Sequence, residues 1–179
     1  MTRQPDRVFD ELLITLVRSG DRQAGERLAA RWHPRLIRTA RRLLRDEDQA
    51  RDAVQEAWAA ICRGWMSLND PGRFPAWAFS ILHRKCADRI RTEQAARARR
   101  GDLNGDEVAT SGAPEDASSI DQAMAQLSAD HRAAAILFFG EGLTLAETAA
   151  ATGVPLGTAK SRIFHARRQL RAALEGEDQ

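Results

Sequence analysis

Residues 143–170 read LTLAETAAATGVPLGTAKSRIFHARRQL, the most informative segment of the chain. Thr144 followed three residues later by Glu147 is a capping box: the hydroxyl takes an orphan amide of the first turn and the carboxylate takes the cap's own amide. The short helix it starts carries Ala149, small enough for a second helix to cross closely. Gly153 follows at a tight turn that needs positive φ. Val154 and Pro155 then open another helix. This spacing is that of a helix-turn-helix.

The second helix has two faces. Leu156, Ala159, Ile163, Ala166 and Leu170 are expected inward. Gly157, Thr158, Ser161, Phe164, His165 and Arg168 gather on the other side, bordered by Lys160 and Arg171. Residues 156–174 hold five bases and no acid. A major groove admits one α-helix, whose N-terminal residues reach base edges. Lys160, Ser161, Phe164 and His165 are the candidate base contacts. Thr158, Arg162, Arg167 and Arg168 are the candidate phosphate contacts, which fix register without reading sequence. A solvated basic helix end, favoured by the macrodipole, accounts for Arg167 to Arg171. It does not account for an exposed Phe164 or for the lack of acids.

Outward from this motif the chain reads as helix throughout. Tyr is absent, and the strong helix formers Ala, Arg and Leu are the commonest residues. Phe9, Leu12, Leu13, Leu16 and Val17 give a first apolar stripe. A helix over 21–32 shows Ala24, Leu28 and Trp32 on one side. Pro34 is expected to reset the chain before Leu36, Ile37, Ala40, Leu43 and Leu44. Asp46 with Gln49 caps a helix to about Trp65 that buries Ala50, Ala53, Val54, Ala57, Trp58 and Ile61. Its other face carries Asp48, Asp52, Gln55 and Glu56. Residues 66–73 are a loop by composition. A long helix then starts near Phe74, with Trp77, Ala78, Ile81, Leu82 and Ile90 inward and a basic tail at its end.

Residues 101–119 hold five acids, no base and hardly any core-forming side chains. Such a segment cannot bury enough surface to offset the cost of ordering, so it reads as a flexible linker. Beyond it, Ile120, Met124 and Leu127 form one stripe. Ser128 caps a helix with Ala133, Ile136, Leu137 and Phe138, broken by Gly140 and Gly142. The expected fold class is all-α: two small helical domains, 1–100 and 120–179, joined by the linker.

Composition limits the function. Apolar residues make up 43% of the chain, enough for a core, and the net charge is only +2. Its distribution says more: residues 1–91 hold 18 Lys/Arg against 12 Asp/Glu, a net of +6, so both ends suit polyanion contacts. Cys62 and Cys86 are too few for a disulfide scaffold or a four-cysteine zinc site, and are expected to pack as small hydrophobes. His83 and Cys86 share a helix face without completing a metal site, so no metal and no cofactor is expected. Met1 is followed by charge rather than an apolar leader. The longest apolar run, Ala133 to Phe139, is far short of the ~20 residues that span a bilayer. The expectation is a cytoplasmic protein with no membrane insertion. No nucleophile has a positioned base. Ser161 and His165 share a face but lack an orienting acid, so an enzyme is not expected.

Residues 143–170 resemble the promoter −35-binding region of bacterial sigma factors of the extracytoplasmic-function (ECF) group, within the sigma-70 superfamily. The likeness rests on Glu147, Ala149, Gly153, Gly157, Thr158, Lys160, Ser161, Arg162, Ile163, Ala166 and Arg167. The chain departs at Thr148, Thr152 and Ala159, where bulkier apolar residues are usual, and His165 replaces a common Arg. Residues 52–58, DAVQEAW, resemble that family's polymerase-binding helix. Residues 74–81, FPAWAFSI, with Asp88-Arg89-Ile90-Arg91, resemble its promoter-melting helix. Arg84 stands where the family often has Asn.

The resemblance implies a region 2-like bundle and a region 4-like helix-turn-helix. It implies an alternative sigma factor that binds core RNA polymerase and promoter DNA, under the control of an anti-sigma factor. Carried onto this chain, Asp48, Asp52, Gln55 and Glu56 would meet a basic coiled coil of the largest polymerase subunit. Asn69 and Asp70 would form the pocket of the −10-reading loop, with His83, Arg84 and Lys85 holding the backbone beside it. Trp77 is expected in the core rather than as a stacking platform. Two rivals remain. A sigma-like decoy that binds an anti-sigma factor without DNA has no need of the acid-free helix. A repressor or activator working without polymerase has no need of the 52–58 helix.

Overall fold

The computed structural model describes residues 5–99 and 119–176, and every regular element among them is helical. The expected linker lies outside these residues except at Ser119, which already opens a helix. In chain order the elements are α1 (Pro5–Arg18), α2 (Arg22–Leu44), α3 (Glu47–Gly64), α4 (Phe74–Arg99), α5 (Ser119–Ala125), α6 (Ala129–Ala135), α7 (Leu145–Thr152) and α8 (Leu156–Gly176).

Pro34 does not reset the chain: α2 runs straight through it. A proline inside a helix forfeits a hydrogen bond and costs roughly 3 kcal/mol. Leu28, Trp32, Leu36, Ala40 and Leu43 form one buried face on both sides of it. At roughly 1.5–3 kcal/mol for each large side chain, that burial outweighs the break. The α1 stripe is also rotated from its expected setting. Leu13, Ile14 and Val17 are buried, whereas Phe9, Leu12 and Leu16 are exposed. The cause is Asp10, which is buried beneath α2 and accepts from Arg31 Nε at 3.0 Å. That charge-assisted bond lets Asp10 share the inward face with Leu13, Ile14 and Val17.

The centre of the N-terminal bundle is aromatic. Trp32 meets Phe74 edge-on at 4.8 Å and Phe79 at 5.5 Å. Residues 65–73 are less irregular than expected: Trp65–Ser67 and Pro71–Arg73 form single 3-10 turns. Asp70 caps the second by accepting from the Gly72 amide at 2.9 Å. Trp77 lies half-buried against the core, over Gly64, where a Cβ would stand 2.8 Å from the indole. Ile90 is half-exposed rather than inward, because α4 there has run past the bundle's centre. Cys86 is buried as a small hydrophobe, but Cys62 is exposed on the outer side of α3.

The C-terminal helices rest on the N-terminal bundle, with α7 packed along α4. Ala133, Ile136, Leu137, Leu143 and Ala151 join the same apolar cluster as Leu13, Trp32 and Phe79. At the end of α6 the chain widens into a π turn over Ile136–Gly140, closed by the Glu141 amide donating to the Ile136 carbonyl at 2.9 Å. Gly142 then takes φ +68° and redirects the chain into α7. This places Glu141 at the tip of the turn, against α2.

Candidate nucleic-acid and polymerase interface

The helix-turn-helix forms as its residues dictate. Thr144 Oγ1 accepts from the Glu147 amide at 3.2 Å, and Glu147 Oε2 accepts from the Thr144 amide at 2.7 Å. Gly153 takes φ +69°, a left-handed turn that suits only glycine well. Ala149, Ala159 and Ala166 are buried where α7 and α6 cross α8. Thr148 is fully buried with its hydroxyl unpartnered, while Thr152 donates back to the Thr148 carbonyl at 2.8 Å.

On α8, Lys160, Ser161, Phe164, Arg167 and Arg168 are exposed; Phe164 shows 61% of its surface. Leu156 is exposed too, contrary to expectation, because the first residue of α8 precedes the crossing with α7. His165 is half-buried, stacked on His131 at 5.8 Å and edge-on to Phe164 at 5.6 Å. Ser161 donates to the Thr158 carbonyl at 2.9 Å, which leaves its lone pairs free to accept. Arg162 forms an ion pair with Asp130 at the start of α6. The structure therefore presents Lys160, Ser161 and Phe164 as one outward ridge, with Arg167 and Arg168 a turn further on. Thr158, Arg162 and His165 are held closer to the body.

On α3, Asp48, Asp52, Gln55 and Glu56 are all exposed on one face. Two cations of α4 reach over to it. Lys85 Nζ lies 3.0 Å from Glu56, and Arg89 lies 2.6 Å from Glu56 and 3.6 Å from Asp52. The hydrogen bond from Lys85, with the charge of Arg89, holds the Glu56 carboxyl below its ordinary range against the opposing push of partial burial. The carboxylates face solvent while Lys85 and Arg89 are partly buried, so an external cation can reach the acids from outside.

The −10 candidates are divided among different faces. Asn69 and Asp70 are exposed, with the Asp70 carboxylate also engaged in its cap. Arg84 points to solvent, whereas Lys85 is committed to Glu56. His83 is half-buried; burial lowers its pKa, with Asp130 raising it and Arg162 lowering it further. Among the described residues, no three of His, Cys, Asp and Glu gather as a metal site.

Local pattern gave no signal for the ion pairs that join the two groups of helices. Arg7 makes a two-pronged contact with Glu147, at 2.9 and 3.1 Å. Burial pushes the Glu147 carboxyl up, but hydrogen bonds from Arg7 and Thr144 outweigh it and leave it below its usual range. Arg35 donates to Glu141 at 3.1 Å, and Arg42 pairs with Asp121 at 3.2 Å.

Comparison with known proteins follows the same division. The Sigma-70 region 2 family model matches residues 28–96, and the Sigma-70, region 4 model matches residues 117–170. ECF RNA polymerase sigma factor SigM of Mycobacterium tuberculosis is 32% identical over 160 residues, covering 89% of this chain and 81% of SigM. The chain belongs to the ECF sigma factors. ECF sigma factor SigK of Mycobacterium ulcerans is 29% identical, over 98% of this chain and 99% of its own. Two solved structures share the architecture of this ECF sigma factor, each at 27% identity and a TM-score of 0.68. One is CnrH in complex with the cytosolic domain of CnrY, covering 94% of this chain and 98% of that one. The other is sigma factor RpoE with anti-sigma factor NepR from Bartonella quintana, covering 84% and 96%. In this ECF sigma factor, region 2 falls on α2–α4 and region 4 on α5–α8. No helix among the described residues is long and apolar enough to cross a membrane.

Proposed function

We propose that this alternative sigma factor docks on core RNA polymerase through Asp48, Asp52, Gln55 and Glu56. It reads the −35 element with Lys160, Ser161, Phe164 and His165, and holds the flanking phosphates with Thr158, Arg162, Arg167 and Arg168. Asn69 and Asp70 form the −10 pocket. Arg84 is ready to hold the backbone beside it, joined by His83 and by Lys85 once it leaves Glu56. Residues 1–100 and 120–179 act as the two working domains, with 101–119 as the tether. The chain works in the cytoplasm, as a transcription initiation factor rather than an enzyme, with no metal or cofactor. RpoE of Bartonella quintana is seen with an anti-sigma factor. We extend control by such a factor to this chain.

The supporting observation is the separation of charge between two exposed helix faces. One face of α3 is acidic, while residues 156–174 along α8 carry bases and no acid. A polymerase-independent repressor needs only the second.

The test is co-purification with bacterial core polymerase at low salt, followed by transcription from genomic fragments. The wild-type chain gives promoter-specific transcripts only when polymerase is present. Asp52→Asn with Glu56→Gln lowers association at least about tenfold while helical content is kept. Neutral substitutions are preferred because reversal would set new cations beside Lys85 and Arg89. A wild-type chain that fails to associate overturns the reading.

A further inference from the structure

We propose that the arginine face of α2 is a second DNA-backbone contact of this sigma factor, covered by Glu141 and Asp121 when its two groups of helices are closed. The proposal rests on the promoter-binding reading above but not on α8. Helix α2 carries seven arginines and a single acid, Glu26. At 3.6 residues per turn, Arg27, Arg31, Arg35, Arg38 and Arg42 fall within an arc of about 80°. An ordinary solvated helix face mixes signs along such an arc; this one does not.

What neutralises the arginines comes largely from elsewhere. Arg31 is satisfied within the N-terminal bundle by Asp10 and Asp6. Arg35, Arg38 and Arg42 instead find their carboxylates on the C-terminal helices. Glu141 accepts from Arg35 Nε at 3.1 Å and from Thr39 Oγ1 at 2.8 Å, with Arg38 at 3.8 Å. Its side chain is 3% exposed. Asp121 takes Arg42 at 3.2 Å. Two guanidinium groups and a hydroxyl around one anionic group are also the donors that hold a phosphate. Arg35 is set in place beforehand: its guanidinium lies 4.3 Å above the Trp32 ring and 5.7 Å from the Phe79 ring.

Position and spacing favour DNA as the ligand. A cleft of about 310 Å³ is lined by Arg7, Arg31, Arg35 and Pro75, with Asp6, Asp10 and Glu141 as their counter-charges. Pro75 lies in the first turn of α4, one residue removed from the loop assigned to the −10 element, so the cleft is near that loop. Arg35 to Arg42 spans roughly 10 Å at 1.5 Å per residue. One DNA strand presents about three phosphates over that length. When the C-terminal helices swing away toward a −35 element, Glu141 and Asp121 leave and the backbone takes their place.

The test is fluorescence anisotropy with the full chain and a labelled 30-base-pair duplex of arbitrary sequence bearing a mismatched bubble, across a salt series. Glu141→Gln removes the covering charge. It tightens binding several-fold and steepens the log K against log salt slope by about 2, as expected for two or three added phosphate contacts. Adding Arg38→Ala and Arg42→Ala abolishes both gains. Asp121→Asn moves binding the same way by a smaller amount, and serves if Glu141→Gln fails to fold. Lys160→Ala weakens binding through α8 in every background and leaves the gain from Glu141→Gln intact. An unchanged salt slope in the Glu141 and Asp121 variants overturns the proposal, as does a gain that survives loss of Arg38 and Arg42. If those arginine variants lose polymerase instead of DNA, the face belongs to the enzyme. A loss with Lys160→Ala alone leaves the −35 reading standing and this one refuted.

Discussion

The two halves of the molecule solve the packing problem with different materials. The N-terminal bundle closes around Trp32, Phe74 and Phe79, all fully buried. Among the described residues the C-terminal half buries no aromatic ring: Leu127, Ile136, Leu137, Leu143 and Ile163 fill it, with Ala149, Ala159 and Ala166 at the helix crossings. Apolar burial scales with area, so each ring stabilises several times more than each alanine. Alanines instead let helices cross closely. The C-terminal helices are thereby tightly crossed, and they also pack along α4.

Substitutions sharpen this contrast. The largest effect is expected from Phe79→Ala, at about 3–5 kcal/mol in urea unfolding. Because α7 shares the apolar cluster with Phe79, amide exchange should also quicken in α7, which rests on that cluster. Unchanged exchange in α7 would mean that the C-terminal helices draw nothing from it. Ala159→Leu forces bulk into the α7–α8 crossing and should cost about 1–3 kcal/mol. Its signature is faster amide exchange confined to α6–α8; loss spread over α2 and α3 would contradict the division. Thr144→Ala removes half of a capping box and should cost about 1 kcal/mol, seen as fraying at the start of α7.

The smallest effect is on pH. His83 has its pKa lowered from 6.5, so the folded state disfavours the proton. Its stabilisation is complete above about 6.5 and is lost as pH falls through the folded value. The urea midpoint should therefore decline between pH 7 and 5, and His83→Ala should flatten that decline. An unchanged pH profile in the variant would mean that another group sets the decline.

Features set by a few neighbouring residues were legible in the sequence. The Thr144–Glu147 box, the Asp46 and Ser128 caps and the positive φ of Gly153 depend only on local chemistry, and all are present. Features set by distant partners were not. Pro34 reads as a break until the buried face on both sides of it is seen. The α1 stripe was misjudged because Asp10 looks solvent-seeking until Arg31 reaches it. Of the candidate contacts, the exposed ridge on α8 and the acidic face of α3 follow from helical spacing. The commitment of Lys85 to Glu56 joins two separate helices, and Glu141 reaches Arg35 across 106 residues. Neither leaves a mark in local pattern.

The two thiols differ in a way that helps anyone watching this molecule move. Cys86 is sealed in the interior and burial pushes its pKa up to about 12, so it offers essentially no thiolate near neutrality. Cys62 stands open on the last turns of α3. A maleimide dye should therefore attach at one place in the native chain, giving an optical reporter on α3 itself without first engineering a cysteine-free background.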